Sequence, residues 1–284
     1  MTHGLADLHM HSTASDGGYN QESLVKKAAE AGLTMISLTD HDTTNGLGMA
    51  REMANRLGLS FINGLELSTR YEGVSVDILG YGIDPESASL QSTLSFHRER
   101  RLDRMRSMIS KCKNIGMEIG ESDVFSYVTG DTYSRPHLAK ALVAHGYAES
   151  VNDAFKRFIG YNRPCYEYKE DEMHPEEAIR VIHEAGGLAI IAHPVFYDLD
   201  SSIPHWFNAY GVDGIEVYHR DHDAASVQRF EALASFIDSQ VGYRVFRTGG
   251  SDFHHESFGR KGEELGKTKL PYEEALRVFE ALSS

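Results

Sequence analysis

Short apolar runs alternate with helical segments over the first 66 residues, and this alternation limits the fold more than any other feature. The runs have the length and apolar character of buried strands, whereas the segments between them repeat apolar residues at helical spacing. Asn20 is a typical helix N-cap, and Gly32 and Gly58 follow the two helical segments. Strands are predicted at 6–12, 34–39 and 59–62, and helices at 22–31 and 46–57. This order predicts a parallel α/β fold.

The middle of the chain has a different character. Residues 97–113 carry seven Lys or Arg among seventeen positions, and apolar residues recur there at helical spacing. No run typical of a parallel strand follows until Leu188. We therefore predict an α/β barrel of residues 1–96 plus 170–284, with an inserted helical cap of residues 97–169. Further strands are predicted at 74–82, 188–192, 214–218 and 243–248, and further helices at 175–185, 224–239 and 272–282.

The charge balance excludes several classes of protein. Lys and Arg number 28 against 42 Asp and Glu, which gives a formal net charge of −14. Proteins that coat duplex nucleic acid or bind membrane surfaces are usually basic, so we expect neither role and no obligate protein partner. The two cysteines have no spacing typical of a zinc site or a disulfide framework. Without a signal-like or membrane-spanning run, the expected location is the cytoplasm.

Histidine and acidic residues collect at or near the ends of the predicted strands. His9 and His11 are two residues apart, so a strand would direct both imidazoles to the same face. The candidate metal ligands are His9, His11, Asp16, His41, Glu66, Asp77, His193, Asp252 and His254. Nine ligands are too many for one ion and suit two or three ions that share carboxylates. Asp40 is predicted to orient a ligand histidine rather than to bind metal itself.

These motifs, in this order, resemble the polymerase and histidinol phosphatase (PHP) superfamily. The resemblance runs from about residue 5 to residue 266. The matching motifs are Asp7-Leu8-His9-Met10-His11-Ser12, Ser15-Asp16-Gly17, Thr39-Asp40-His41-Asp42, Gly64-Leu65-Glu66, Ala192-His193-Pro194 and Gly250-Ser251-Asp252-Phe253-His254. The resemblance implies a distorted (β/α)₇ barrel, a site for two or three metal ions, and hydrolysis of phosphate esters.

The same resemblance implies how the ligands divide among the ions. The first ion would take His9, His11, Glu66 and Asp252, the second Glu66, Asp77 and His193, and the third Asp16, His41 and His254. Mn²⁺ is the expected metal, with Fe²⁺ and Zn²⁺ as alternatives, because all three accept mixed imidazole and carboxylate ligands. Members of the superfamily often have histidine where this chain has Asp77. Either the second ion is retained with a harder ligand, or its site is weakened.

The cap carries a second set of motifs. Residues 134–139 and 154–160 resemble the inserted segment of the branch that contains nucleotide phosphatases and exoribonucleases. This resemblance implies that Arg135 and His137 bind phosphate or stabilise the leaving group. The alternative role for both is packing at a helix N-terminus. Ser134, Lys156 and Asn162 are weaker candidates for substrate contacts.

Several functions remain open from the sequence. The leading prediction is removal of the 3′-phosphate from a nucleoside 3′,5′-bisphosphate by water activated at divalent metal ions. The close alternative is 5′→3′ exonuclease action on short 5′-phosphorylated RNA. A histidinol-phosphate-type phosphatase, an amidohydrolase and a non-catalytic metal-binding module are further alternatives. Trp206 and Tyr218 could stack on a base, but core packing is the expected role of both.

Overall fold

Seven strands form one sheet whose spatial order follows the chain. The computed structural model describes residues 4–130, 132–168, 173–258, 262, 264–267 and 269–283. The strands are β1 Ala6–Asp7, β2 Met35–Leu38, β3 Ser60–Tyr71, β4 Val74–Tyr81, β5 Leu188–Ile191, β6 Gly214–His219 and β7 Phe246–Gly250. The Leu8 amide donates to the Gly249 carbonyl at 3.2 Å, which joins the first strand to the last. The sheet is therefore a nearly closed barrel, and the predicted fold class is confirmed.

The helices cover the barrel or build the cap. They are α1 Gln21–Glu30, α2 Leu47–Leu57, α3 Ala88–Asn114, α4 Glu121–Phe125, α5 Arg135–Ala144, α6 Val151–Ala154, α7 Pro175–Glu184, α8 Ile203–Ala209, α9 Ala224–Val241 and α10 Tyr272–Ala281. Helices α4 and α8 were not predicted from the sequence. The Asn20 side chain accepts from the Ser23 amide at 2.8 Å, so the predicted N-cap of α1 is present. No helix in the described part of the chain has the length and apolar character needed to cross a membrane.

The sheet is not parallel throughout. Strand β4 runs antiparallel to both β3 and β5, whereas the other neighbouring strands are parallel. A tight turn at Glu72 and Gly73 joins β3 to β4, and both residues have positive φ, 48° and 86°. A turn this short leaves no room for the helical crossover that a parallel connection requires. Strand β3 is consequently much longer than the predicted 59–62, and Glu66 lies within it rather than beyond its end.

The first strand is shorter than predicted. Strand β1 ends at Asp7, and His9 and His11 lie in the segment that follows it. This segment is held by backbone pairing on both sides: His11 donates its amide to Phe253, and Met10 accepts from the Thr39 amide. These bonds fix the direction of both imidazoles without a regular strand.

The cap has an apolar core of its own, formed by buried residues between 105 and 165. Helix α3 connects this core to the barrel, because Leu90 and Leu94 pack in the barrel core whereas Met105 and Met108 pack in the cap. Each fully buried side chain of this kind stabilises the fold by roughly 1.5–3 kcal/mol. The proposed division at residue 97 falls inside α3 and remains a prediction. Its other boundary, at residues 169 and 170, lies outside the described residues.

Candidate metal centre

The nine candidate ligands converge at one end of the barrel. His9 and His11 follow β1, and His41 follows β2. The remaining candidates come from four places. Glu66 and Asp77 lie inside the antiparallel strands, His193 follows β5, Asp252 and His254 follow β7, and Asp16 lies in the turn before α1. The carboxyl ends of barrel strands are where catalytic groups gather in such folds. The sheet thus brings together residues that are up to 245 positions apart, from His9 to His254.

Glu66 occupies the centre of the cluster. Its Oε2 atom lies 3.1 Å from His41 Nδ1 and 3.3 Å from the Nε2 atoms of both His9 and His11. Its Oε1 atom lies 2.9 Å from His193 Nε2. The carboxylate is completely buried, so these four imidazoles form its polar surroundings. A carboxylate in this position has the geometry required to bridge two ions.

The other candidates complete overlapping groups around this carboxylate. Asp252 Oδ1 lies 3.1 Å from His11 Nε2, and Asp16 Oδ1 lies 3.2 Å from His254 Nε2. Asp77 is more distant, with Oδ2 3.9 Å from His193 Nε2. Ligand atoms lie within 4.8 Å of one another in the groups His11–Asp16–His41–His254, His9–Glu66–His193, His9–His11–Asp252 and His41–Glu66–Asp77.

The donor atoms of the cluster fit metal cations. Among the described residues, His11 Nε2 and His41 Nδ1 are buried and lack a hydrogen-bond partner, although both face carboxylate oxygens. Burying an unpaired ring nitrogen costs about 1–3 kcal/mol, and a coordinated cation would remove that cost. The mixed nitrogen and oxygen donors suit Mn²⁺, Fe²⁺ or Zn²⁺.

The electrostatics keep the carboxylates ionised. Burial alone would raise the pKa of Glu66, but its electrostatic interactions with His41 and His9 hold it well below its usual value. Burial would likewise raise the pKa of Asp16, yet His254 and His41 hold it well below normal. These groups are therefore negatively charged at neutral pH and attract cations.

Two candidate ligands have a strained backbone. His193 has φ 24° and Asp252 has φ 48°, both in the left-handed region that residues other than glycine rarely adopt. Such strain costs on the order of 1–3 kcal/mol and is concentrated at functional sites. Arg220 stabilises the second of these positions by donating to the Asp252 carbonyl at 2.7 Å while its guanidinium lies 3.0 Å from Asp252 Oδ2.

Asp40 supports the turn that carries Asp16. Its carboxylate accepts hydrogen bonds from the Ser12 and Ser15 hydroxyls, both at 2.6 Å, and from the Ser12 amide at 2.8 Å. These bonds tie the turn to the end of β2. Asp40 thus holds Ser12, which follows His11, and Ser15, which precedes Asp16, and its predicted role in orienting a ligand histidine remains a prediction.

Glu216 is a residue that the sequence did not single out. It lies in the middle of β6, is completely buried, and its Oε1 atom is 2.9 Å from His9 Nδ1. Its other oxygen accepts from the His193 amide at 2.7 Å. Burial would raise the pKa of Glu216, but His9 and His219 lower it to about 2. A single acidic residue inside an otherwise apolar strand was the available signal.

Replacing Glu216 with glutamine is expected to lower phosphoester turnover about 10- to 100-fold, because groups that orient metal-binding histidines typically have effects of this size. The amide retains the shape of the side chain but loses the charge that faces His9. Steady-state kinetics at saturating metal would measure the change. The matched control is Glu273→Gln on the exposed side of α10. Equal turnover in both variants would exclude this role for Glu216.

A cavity of about 260 Å³ opens beside the cluster and is lined partly by the cap. Arg101 and Arg104 from α3 and Arg135 from α5 contribute to its wall, together with Ser134. Arg101 belongs to the basic stretch of residues 97–113, but this side chain is only 13% exposed and its Nε donates to Asp42 Oδ2 at 2.6 Å.

The predicted substrate contacts fall into three groups. Ser134 and Arg135 reach the cavity. His137 is buried, and its Nδ1 accepts from the Ser134 amide at 3.3 Å, which caps α5. Burial lowers the pKa of His137 to about 4, so the ring is neutral at pH 7. Lys156 and Asn162 are exposed and do not belong to the described wall of the cavity.

A barrel with histidines and carboxylates at its strand ends, next to arginines in one cavity, defines a metal-dependent phosphoesterase. The sequence model of the PHP domain matches residues 7–161. The chain belongs to the PHP domain family.

Three curated relatives cover most of the chain. A 3′,5′-nucleoside bisphosphate phosphatase from Chromobacterium violaceum is 32% identical, over 93% of this chain and 91% of its own length. A phosphoribosyl 1,2-cyclic phosphate 1,2-diphosphodiesterase from Eggerthella lenta is 34% identical, over 90% of this chain and 96% of its own. A 5′-3′ exoribonuclease from Haemophilus influenzae is 32% identical, over 96% of this chain and 97% of its own length.

The fold also matches a solved structure. A Bifidobacterium adolescentis protein, described as a metal-dependent phosphoesterase, superimposes with a TM-score of 0.87. The match covers 98% of this chain and 96% of that one, at 30% sequence identity. The predictions of the PHP family, of a hydrolase and of metal-dependent phosphoesterase chemistry are confirmed.

Proposed function

We propose that this phosphoesterase removes the 3′-phosphate from a nucleoside 3′,5′-bisphosphate. The observation that carries the proposal is the set of three guanidinium groups in the wall of the same cavity as the metal cluster. Metal ions would neutralise the phosphate that reacts. Arg104 and Arg135, which line the same cavity, would provide positive charge for a second phosphate. The similar phosphatase from C. violaceum supports this choice.

The proposal includes the ligand assignment implied by the sequence. His9, His11, Glu66 and Asp252 would hold the first ion, Glu66, Asp77 and His193 the second, and Asp16, His41 and His254 the third. Divalent ions, Mn²⁺ in our proposal, would neutralise phosphate charge and make water more acidic.

The chain's own residues bind and orient the substrate. The Arg135 fork is suited to the oxygens of a phosphate, and the Ser134 hydroxyl can donate to the same group. His137, neutral and buried, holds the start of α5 and thereby positions both of these side chains. Its proposed role is therefore to position phosphate contacts rather than to donate a proton to the leaving oxygen.

The three relatives define the competing substrates, and one measurement separates them. The hydrolysis products, namely inorganic phosphate, free nucleotides and ring-opened monoester, would be compared for adenosine 3′,5′-bisphosphate, a short 5′-phosphorylated RNA, phosphoribosyl 1,2-cyclic phosphate and histidinol phosphate, after chelation and return of Mn²⁺. We expect the bisphosphate to have the highest kcat/KM and chelated enzyme to be inactive. Nucleotide release from RNA without hydrolysis of the bisphosphate would instead establish the exoribonuclease. Turnover of an amide or lactone panel alone would indicate an amidohydrolase.

A further inference from the structure

Three tyrosines form an exposed cluster on the cap. Tyr161 is 63% exposed and Tyr168 is 46% exposed, and both pack edge to face with the half-buried Tyr166. The ring centroids lie 5.1–5.9 Å apart, and the planes cross at 70–90°. Unlike singly exposed aromatic residues, Tyr161 and Tyr168 form a contiguous patch of ring surface with Tyr166, and contiguous apolar patches are characteristic of binding sites.

The tyrosine cluster continues directly from the cavity at the metal centre. The Tyr166 ring lies 5.3 Å from the guanidinium carbon of Arg104 and 5.7 Å from that of Arg135. Both arginines line the cavity, as does Phe155, whose ring lies 5.2 Å from the Arg135 guanidinium. The tyrosine cluster therefore lies next to the arginines of the cavity wall, with Tyr166 in contact with both of them.

The segment that carries these rings is held to α3. Lys111 Nζ donates to the Tyr166 carbonyl at 2.7 Å, and Arg104 Nε donates to the Glu167 carbonyl at 3.0 Å. The Tyr168 hydroxyl donates to the side-chain carbonyl of Asn162, which has a positive φ of 58°. A fixed aromatic surface binds a flat partner without a large loss of side-chain entropy.

We propose that Tyr161, Tyr166 and Tyr168 form a stacking surface for the nucleobase of the substrate. The inference rests on the proposed function, since it requires a phosphate ester that carries a base. The arginines would hold the anionic groups, and the tyrosine rings beyond them would hold the uncharged aromatic end. The two aromatic residues that the sequence offered for this role are elsewhere: Trp206 is completely buried, and Tyr218 packs against the barrel core.

The surface also discriminates between substrates of the same chemistry. A phosphorylated sugar without a base would use the metal centre and the arginines but would leave the tyrosines without a partner. The proposal therefore predicts preference for nucleotides over base-free sugar phosphates. Asn162, a predicted substrate contact, acts in this arrangement by orienting Tyr168.

The test compares a nucleotide with its base-free counterpart. In the variant Tyr161→Ala/Tyr168→Ala, kcat/KM would be measured for adenosine 3′,5′-bisphosphate and for 1,2-dideoxyribose 3,5-bisphosphate. The ratio of the two values is expected to fall about 10- to 100-fold, mainly through KM for the nucleotide. Tyr161→Phe, which retains the ring, should keep the wild-type ratio. Tyr243→Ala removes an equally exposed tyrosine after α9 and is the matched control.

An unchanged ratio in the double variant would overturn the proposal, and so would an equal loss with both substrates. Binding of adenosine, measured by calorimetry in the wild type and the double variant, is independent of turnover. One outcome is that the wild type binds adenosine, that the double variant does not, and that neither protein hydrolyses the bisphosphates. This outcome would support the stacking surface and refute the proposed reaction. Hydrolysis of the nucleoside bisphosphate together with equal adenosine binding by both proteins would support the proposed reaction and refute the stacking surface.

Discussion

Substitution of Glu66 by glutamine is expected to lower phosphoester hydrolysis about a thousandfold, the loss that several kcal/mol of transition-state stabilisation would cause. The carboxylate lies within 3.3 Å of four imidazole nitrogens and is completely buried. Glutamine has nearly the same shape but carries no charge and replaces one ligand oxygen by an NH₂ group. In the proposed ligand assignment Glu66 binds two ions, so the exchange is expected to weaken the binding of both.

Metal content and turnover should be measured together for this variant. Mass spectrometry after dialysis is expected to show fewer bound ions per chain than in the wild type, even though the barrel remains folded. Glu52→Gln on the exposed face of α2 is the matched control, because the side chain of Glu52 is 65% exposed. Wild-type metal content with wild-type turnover in Glu66→Gln would refute the bridging role.

The strand-end positions of the candidate ligands could be predicted because they follow from local patterns. An apolar run that ends in a histidine or a carboxylate places that side chain at the edge of a sheet, and parallel strands bring these edges together. His41 and His193 were found in this way. His9 and His11 were also found, although the regular strand ends before them and tertiary hydrogen bonds maintain the extended backbone instead.

Glu66 and Asp77 lie on antiparallel strands, where the strand-end rule does not apply. Glu66 was predicted beyond the end of a strand at 59–62 and within the motif Gly64-Leu65-Glu66, whereas it lies inside β3. Asp77 was predicted inside the strand at 74–82 and lies inside β4. The antiparallel arrangement depends on a two-residue turn whose conformation the sequence pattern did not reveal. The effect of Asp77 on the neighbouring ion remains a prediction, although its carboxylate faces His193 at 3.9 Å.

Residues whose role depends on distant partners could not be predicted. Glu216 acts through His9, which is 207 positions away in the sequence. The tyrosines at 161 and 168 have no periodic pattern, and only the fold places them next to the arginines of α3 and α5. In each case, the pairing of distant segments creates the role, so the local sequence alone does not define it.

Arg101→Met is expected to lower the free energy of unfolding by about 3–5 kcal/mol, because it leaves Asp42 as a buried charge without its guanidinium partner. The Asp42 side chain is only 2% exposed. Burial alone would raise the pKa of Asp42, but Arg101 lowers it, so the carboxylate is ionised at neutral pH. Urea unfolding would measure the loss. Arg100→Met, at an exposed position on the same helix, is the control and should change stability by less than about 0.5 kcal/mol.

The double variant Arg101→Met/Asp42→Asn separates stability from chemistry. Removing the buried charge should restore most of the lost stability, since asparagine can still accept the hydrogen bond that the Ser68 amide donates at 3.0 Å. Turnover should not recover to the same extent, because Arg101 also lines the cavity where phosphate would bind. A double variant that regains both stability and turnover would show that Arg101 has only a structural role. Purely additive losses would show instead that the two side chains do not stabilise each other.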